Sequence, residues 1–215
     1  MFVPDQYREP DGGWMVDIIR RFPLALLTTN GTPTAGPFAT HLPVIPDPEM
    51  TAPWANDLSG ATLLGHLNRM NPHWSALESG TVALVTFTGP DAYVSPTVYE
   101  KSPAAPTWNF TSVHVHGVIE KLESLEETLG VVRSTVRAFE RDHGTDWDMT
   151  ASVDYFRQIV SGVGAFRITV TGAEGMFKLS QEQEPDVRDR VRRSFAQHPC
   201  SRHQDTARLM ERLPR

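Results

Sequence analysis

The chain has 215 residues, of which 40% are hydrophobic and 21% are charged, and its formal net charge is -6. This balance is typical of one globular domain with a substantial core, and it excludes a largely disordered chain. The acidic charge disfavours a protein that works mainly by coating nucleic acid, although nucleic acid stays open as a minor alternative partner. A single cysteine, Cys200, excludes an intramolecular disulfide.

The start of the chain lacks the charged-then-apolar layout of a signal peptide. No apolar run reaches the roughly 18 residues that a membrane-spanning helix needs. Together with the lone cysteine, these features predict a soluble cytoplasmic protein with no membrane segment.

The first half of the chain predicts a helix followed by strands. Apolar residues at helical spacing favour a helix over Asp11–Phe22 that Asp11 caps and Pro23 ends. Asn30-Gly31 is typical of a tight hairpin turn between two apolar runs, and Asn71-Pro72 is typical of a helix start. Strands are predicted over residues 24–29, 34–40, 41–45, 61–67 and 81–88.

The second half predicts a long Pro-rich loop and then alternating strands and helices. The loop begins at Gly89, after the clearest strand of the chain, and leads into a strand over 109–120 that carries His114 and His116 on one face. Two histidines without a third ligand do not predict a metal site. Helices are predicted over 124–141, 153–160, 186–195 and 205–213, and further strands over 163–170 and 176–179.

Many short antiparallel strands with inserted helices predict a mainly β fold with helices (α+β). Closing such strands into a small barrel removes the exposed edges that would otherwise aggregate. Neither a G-x-G-x-x-G motif nor a Walker A motif occurs, so a dinucleotide-binding doubly wound sheet and P-loop chemistry are not expected.

Five short motifs follow one another along the chain. They are ATHLP at 39–43, GHLNRMNPHW at 65–74, GPDAYVSP at 89–96, PTWN at 106–109 and KLSQ at 178–181. In this order they resemble the PaiB-like family of FMN-binding negative transcriptional regulators, which belongs to the FMN-binding split β-barrel superfamily. The resemblance implies a split β-barrel FMN-binding domain over residues 1–181 and leaves a C-terminal helical extension over 182–215.

The resemblance implies a homodimer that holds FMN at the subunit interface. Hydroxyl and ammonium groups suit the phosphate and ribityl end, aromatic rings suit the isoalloxazine, and amide or imidazole groups suit its polar edge. The predicted cofactor-binding residues are Thr40, His41, Leu42, Tyr93, Ser95, Pro96, Thr97, Tyr99, Trp108, Asn109, Lys178 and Gln181. No catalytic residue is assigned.

The sequence departs from the family pattern at four positions inside or beside these motifs. Val98 stands where the family has Trp, His73 where it has Gln, Phe110 where it has Tyr, and Glu182 where it has Asn. These departures point to a difference in flavin affinity or in substrate choice.

Three functions follow as hypotheses. The first is a flavin-dependent oxidoreductase acting on a small molecule, in which the cofactor carries the electrons. The second is a ligand-responsive transcriptional regulator, although the arginines at 188–193 alternate with acids as on a solvated helix face. The third is a haem-binding split barrel, because the tail carries His198, Cys200 and His203.

Overall fold

A six-stranded antiparallel barrel forms the centre of the molecule in the computed structural model, which describes residues 1–9, 13–31, 36–50 and 54–213. The strands are β1 (Leu24–Thr29), β2 (Phe38–Pro46), β3 (Thr62–Asn68), β4 (Val82–Val94), β5 (Thr107–Leu122) and β6 (Val163–Lys178). Their order around the barrel is β1-β2-β3-β6-β5-β4, and the barrel closes because β1 pairs with both β2 and β4. The predicted antiparallel barrel with helices is confirmed.

In the described part of the chain, six α-helices surround the barrel. They are α1 (Gly13–Arg21), α2 (Pro72–Ala76), α3 (Leu125–Asp142), α4 (Val153–Ile159), α5 (Pro185–Ala196) and α6 (Ser201–Glu211). The apolar face of α1 joins the barrel core, where Trp14 meets Phe177 edge-on at 5.3 Å between ring centroids. Val191 of α5 and Leu209 of α6 belong to the same buried cluster, so the C-terminal helices share the core of the barrel. Among the described residues, no helix is long and apolar enough to span a bilayer.

The hairpin between β1 and β2 differs from the tight turn that Asn30-Gly31 predicts. The last pair of the ladder is Thr29 with Phe38, so residues 30–37 connect the two strands. The prediction of a two-residue turn is therefore wrong, while the pairing of the two strands is confirmed. Residues 32–35 and the predicted cap Asp11 lie outside the described residues.

The predicted loop after Gly89 is wrong over its first part. β4 continues through Gly89-Pro90 to Val94, and its pairing with β5 shifts register between Thr88 and Asp91. A bulge accommodates a proline, which has no N–H to donate to the ladder. The connection between β4 and β5 is therefore limited to residues 95–106.

Strand β6 is continuous, whereas the sequence predicted two strands separated at residues 171–175. Its partner β5 pairs with it along nearly its whole length, with one register shift between His116 and Gly117. The helix predictions over α1, α2, α3, α4 and α5 are confirmed. The last helix begins at Ser201, before the predicted start at Asp205.

Candidate functional site

The motif residues gather in two places on the barrel. The threonine–histidine cluster consists of Thr29, Thr40, Asn71 and His73. The aromatic–lysine cluster consists of Tyr93, Thr107, Trp108 and Lys178. Four of these eight residues, namely Thr40, Tyr93, Trp108 and Lys178, are predicted cofactor contacts.

The threonine–histidine cluster is internally hydrogen-bonded, with Thr29 and His73 buried and Thr40 and Asn71 half-buried. His73, on α2, is only 1% exposed, and its Nε2 and Nδ1 each lie 2.9 Å from a threonine hydroxyl, on Thr29 and Thr40 respectively. Asn71 caps α2 by accepting the backbone N–H of His73 at 2.9 Å, and its amide Nδ2 lies 3.4 Å from the hydroxyl of Thr40. Phe38 stacks on the imidazole at 5.3 Å. Burial lowers the pKa of His73, so the ring is neutral near pH 7.

In the aromatic–lysine cluster the two rings are exposed, while Thr107 and Lys178 are half-buried. Tyr93 of β4 faces Trp108 of β5 across the ladder, with ring centroids 5.7 Å apart, and the two side chains are 44% and 53% exposed. Lys178, near the end of β6, donates to the hydroxyl of Thr107 at 2.5 Å, and its Nζ lies 5.8 Å from the ring of Tyr7. In the described part of the chain, no carboxylate forms an ion pair with Lys178.

The two clusters lie towards opposite ends of β4. Thr40 pairs with Leu27 of β1, and Leu27 in turn pairs with Val85 near the start of β4. Tyr93 lies eight residues beyond Val85, which is about 25 Å of strand at roughly 3.3 Å per residue. This path is longer than a flavin mononucleotide.

The predicted loop residues build the short turn that follows β4. Ser95 caps a 3₁₀ turn over Pro96–Tyr99, and its hydroxyl lies 2.9 Å from that of Thr97. Tyr99 is buried, and Arg190 of α5 donates to its backbone oxygen at 3.0 Å. Burial, with the negative charge of Glu182, raises the pKa of the Tyr99 phenol.

Three other predicted residues are engaged inside the chain. Leu42 is part of the barrel core. Asn109 is fully buried, and its Nδ2 donates to the hydroxyl of Ser180 at 2.9 Å. Gln181 closes the turn after β6, because its Oε1 accepts from the Leu179 N–H at 2.6 Å and its Nε2 donates to a backbone carbonyl. His41, by contrast, is exposed on β2.

Sequence reasoning assigned no binding role to Thr29, Asn71, His73 or Thr107. Two sequence signals point to part of the first cluster. Asn71-Pro72 predicts the start of a helix that Asn71 caps, and His73 stands out as a departure from the family pattern. The hydrogen bond between His73 and Thr29 joins positions 44 residues apart, so no local sequence pattern predicts it.

One large cavity is separate from both clusters. It lies between α1, the end of β2 and the second half of α3, and its volume is about 960 Å³. Arg20 of α1 and Arg137 and Phe139 of α3 help to line it. None of the predicted cofactor-binding residues contributes to it.

The histidines of the C-terminal tail lie in and beside a short turn between two helices. Residues 197–200 connect α5 to α6, and the rings of His198 and His203 stack nearly parallel at 3.9 Å. Cys200 is exposed. Within the described ranges, no group of three or more His, Cys, Asp or Glu side chains is arranged to hold a metal ion.

Three of the four arginines of α5 are engaged within the chain. Arg190 donates to the backbone oxygens of Val98 and Tyr99, while Arg192 and Arg193 form ion pairs with Asp189. These contacts agree with the interpretation of a solvated, ion-paired helix face.

Relatives of known sequence share most of this chain. The family model described as "Putative FMN-binding domain" matches residues 1–172. The protein named protease synthase and sporulation protein PAI 2 of Bacillus subtilis is 27% identical over 185 residues, which are 85% of this chain and 83% of that protein.

Solved structures of flavin proteins share the fold at low sequence identity. An FAD and haem binding protein from Mycobacterium smegmatis has a TM-score of 0.55 at 16% identity, covering 81% of this chain and 75% of its own. The flavocytochrome Anf3 from Azotobacter vinelandii has a TM-score of 0.52 at 14% identity, covering 81% and 72%. The barrel is therefore similar to those of flavin-binding split-barrel structures. With the motifs, the barrel and the match over residues 1–172 in agreement, this chain belongs to the PaiB-like family of FMN-binding domains.

Proposed function

We propose that this protein binds FMN and uses it for oxidation or reduction of a small molecule in the cytoplasm. The observation that carries the proposal is the exposed Tyr93–Trp108 ring pair, together with Lys178, which binds the hydroxyl of Thr107 at the same end of β5 and whose ammonium group has no carboxylate partner in the described residues. A flat ring system needs an aromatic surface, and a phosphate needs a cation whose charge is not already neutralised. These residues fit both parts of FMN.

The proposal includes a homodimer. If residues of both clusters contact one flavin, their separation along β4 favours a site built from two chains over a site built from one chain. A second copy related by two-fold symmetry would present its aromatic–lysine cluster to the threonine–histidine cluster of the first. The symmetric dimer would then carry two equivalent sites.

Each cluster has its own task in this site. Trp108 and Tyr93 flank the ring system, and Lys178 balances phosphate charge. Thr40 lies at the rim of the other cluster and donates a hydrogen bond to a ligand oxygen. When bound, FMN supplies hydride or electron transfer, so the protein needs no nucleophile of its own.

Titration of the purified protein with FMN tests this function. We expect flavin fluorescence to be quenched at one FMN per chain, and light scattering to give the mass of a dimer. Trp108→Ala should weaken binding, whereas Trp147→Ala, which removes an exposed tryptophan from the segment after α3, should not. A protein that leaves FMN fluorescence unchanged at micromolar concentrations would contradict the proposal.

The redox step is tested separately from binding. Protein-bound flavin is photoreduced without oxygen and mixed with a panel of small quinones, nitro compounds and aldehydes. Reoxidation of bound flavin faster than that of free FMN supports an oxidoreductase. If bound flavin and free FMN are reoxidised at equal rates by every compound, a protein that binds FMN without redox catalysis is favoured. The ligand-responsive regulator is a protein of that kind.

Haem is the second candidate cofactor, because two proteins with the same fold are described as an FAD and haem binding protein and as a flavocytochrome. The tail does not present two free imidazoles to a haem iron. The rings of His198 and His203 stack against each other, and the Nδ1 of His198 accepts the backbone N–H of Cys200 at 3.1 Å. A Soret band that forms with haemin and is lost in His203→Ala would reverse the preference for FMN.

A further inference from the structure

Both ring nitrogens and one face of the His73 imidazole contact other residues of the described chain. Its two ring nitrogens each meet one threonine hydroxyl at 2.9 Å, and Phe38 stacks on its face. No carboxylate contacts either nitrogen among the described residues. A neutral imidazole has one N–H and one lone pair, so one nitrogen donates and the other accepts.

The two threonines differ in how much they depend on this ring. Thr29 is 4% exposed, and within the described residues the hydrogen bond to His73 Nε2 is the one that its hydroxyl makes. If Nε2 carried the proton, the hydroxyl hydrogen of Thr29 would be buried without an acceptor. Thr40 is half-buried at the rim of the barrel, where its hydroxyl hydrogen can reach solvent or a ligand.

Burying one unsatisfied hydroxyl favours the other tautomer by about tenfold to a hundredfold. The proton therefore lies on Nδ1, and Thr29 donates to Nε2. In this arrangement the oxygen of Thr40 accepts from Nδ1–H and also faces the amide of Asn71 at 3.4 Å. Both lone pairs of Thr40 are then engaged, and its hydroxyl hydrogen is directed to an outside acceptor.

We propose that His73 is a positioning residue that makes Thr40 an obligatory hydrogen-bond donor to an anionic oxygen of the ligand, a phosphate oxygen in the case of FMN. The inference rests on the proposed function for the identity of that ligand, but not for the tautomer. A glutamine at this position could turn its amide either way. His73, with its proton on Nδ1, always donates to Thr40 and accepts from Thr29.

The tautomer is measured on the ligand-free protein by long-range proton–nitrogen NMR of the histidine side chains. Comparison with His73→Gln assigns the signal, and Thr29→Val or Thr40→Val assigns it if that variant does not fold. We expect a neutral ring protonated on Nδ1. A ring protonated on Nε2 would overturn the inference whether or not FMN binds.

Ligand binding supplies the second measurement. Thr40→Val should weaken FMN by about tenfold while riboflavin, which lacks the phosphate, binds as before. Thr40→Ser, which keeps the hydroxyl, should restore FMN binding. Equal FMN affinities in Thr40→Val and the native protein would overturn the inference.

Failure of the proposed function gives a different pattern. If the native protein binds neither FMN nor riboflavin, inorganic phosphate replaces FMN as the probe of Thr40. A shift of the His73 signals on adding phosphate, absent in Thr40→Val, supports the donor role without FMN. Signals that do not move at millimolar phosphate overturn it.

Discussion

The two motif clusters differ in how much their side chains contribute to folding. In the threonine–histidine cluster, buried polar groups are paired with one another, so each side chain contributes to folding as well as to the site. In the aromatic–lysine cluster, large rings are exposed and Lys178 has one hydrogen-bond partner, so the side chains contribute little to the fold. We infer that the first cluster sets geometry and the second supplies binding energy. Four predictions test this contrast, from the largest effect to the smallest.

Replacing His73 should destabilise the fold. His73→Leu leaves the buried hydroxyl of Thr29 without its partner, which costs about 2 kcal/mol of the free energy of unfolding. Urea denaturation measures the loss. Thr29→Val in the same background removes the stranded hydroxyl and should recover most of it. A His73→Leu protein as stable as the native one would show that the pairing contributes nothing.

Replacing Trp108 should have the reverse effect, with binding lost and stability kept. Removal of one ring contact weakens FMN by about tenfold to thirtyfold, while the exposed position leaves the urea midpoint unchanged. Fluorescence titration and denaturation of Trp108→Ala and the control Trp147→Ala measure both quantities. A large fall in stability with Trp108→Ala would mean that the ring pair belongs to the core.

Replacing Lys178 should weaken binding of the FMN phosphate and leave binding of the isoalloxazine ring unchanged. Lys178→Gln removes one charge-assisted hydrogen bond, so FMN affinity should fall by about tenfold and riboflavin affinity should stay the same. Arg157→Gln, which changes an exposed cation on α4, is the matched control. An equal loss for both ligands would assign Lys178 to the ring instead.

Acid should weaken the threonine–histidine cluster before the aromatic–lysine cluster. Burial lowers the folded-state pKa of His73 below the ordinary value of 6.5, so the unfolded chain binds a proton first. The stability from a neutral His73 is present in full only well above pH 6.5, and it is lost as the pH falls through 6.5 towards the lowered folded-state pKa. His73→Gln should flatten this part of the profile. Burial also lowers the pKa of His66, so the pH dependence of stability that His66 causes should remain in His73→Gln. An unchanged slope in His73→Gln would contradict the assignment.

The sequence predicted most of the fold because its signals are local. Apolar spacing predicted the helices, and the β-branched run at 81–88 predicted the centre of β4. It failed at Gly89-Pro90, where a bulge in the β4–β5 ladder absorbs a residue pair that normally ends a strand. It failed again at the hairpin after Thr29, where a longer connection replaced the Asn-Gly turn.

The site was less predictable because its contacts are long-range. The motifs selected Thr40 and Trp108, yet they did not show that the two residues lie towards opposite ends of the barrel. They also selected Asn109, which the structure buries against Ser180, 71 residues away. Pairings of this kind depend on register and closure, which no short motif encodes.

Complementation between two defective chains tests the shared site most directly. Thr40→Val and Trp108→Ala, each weak in FMN binding alone, are unfolded together and refolded as a mixture. If each site takes Thr40 from one copy and Trp108 from the other, every mixed dimer regains one native site, and about a quarter of all sites bind with native affinity. If the mixture binds no better than the average of the two variants, the two clusters do not form one site across a dimer.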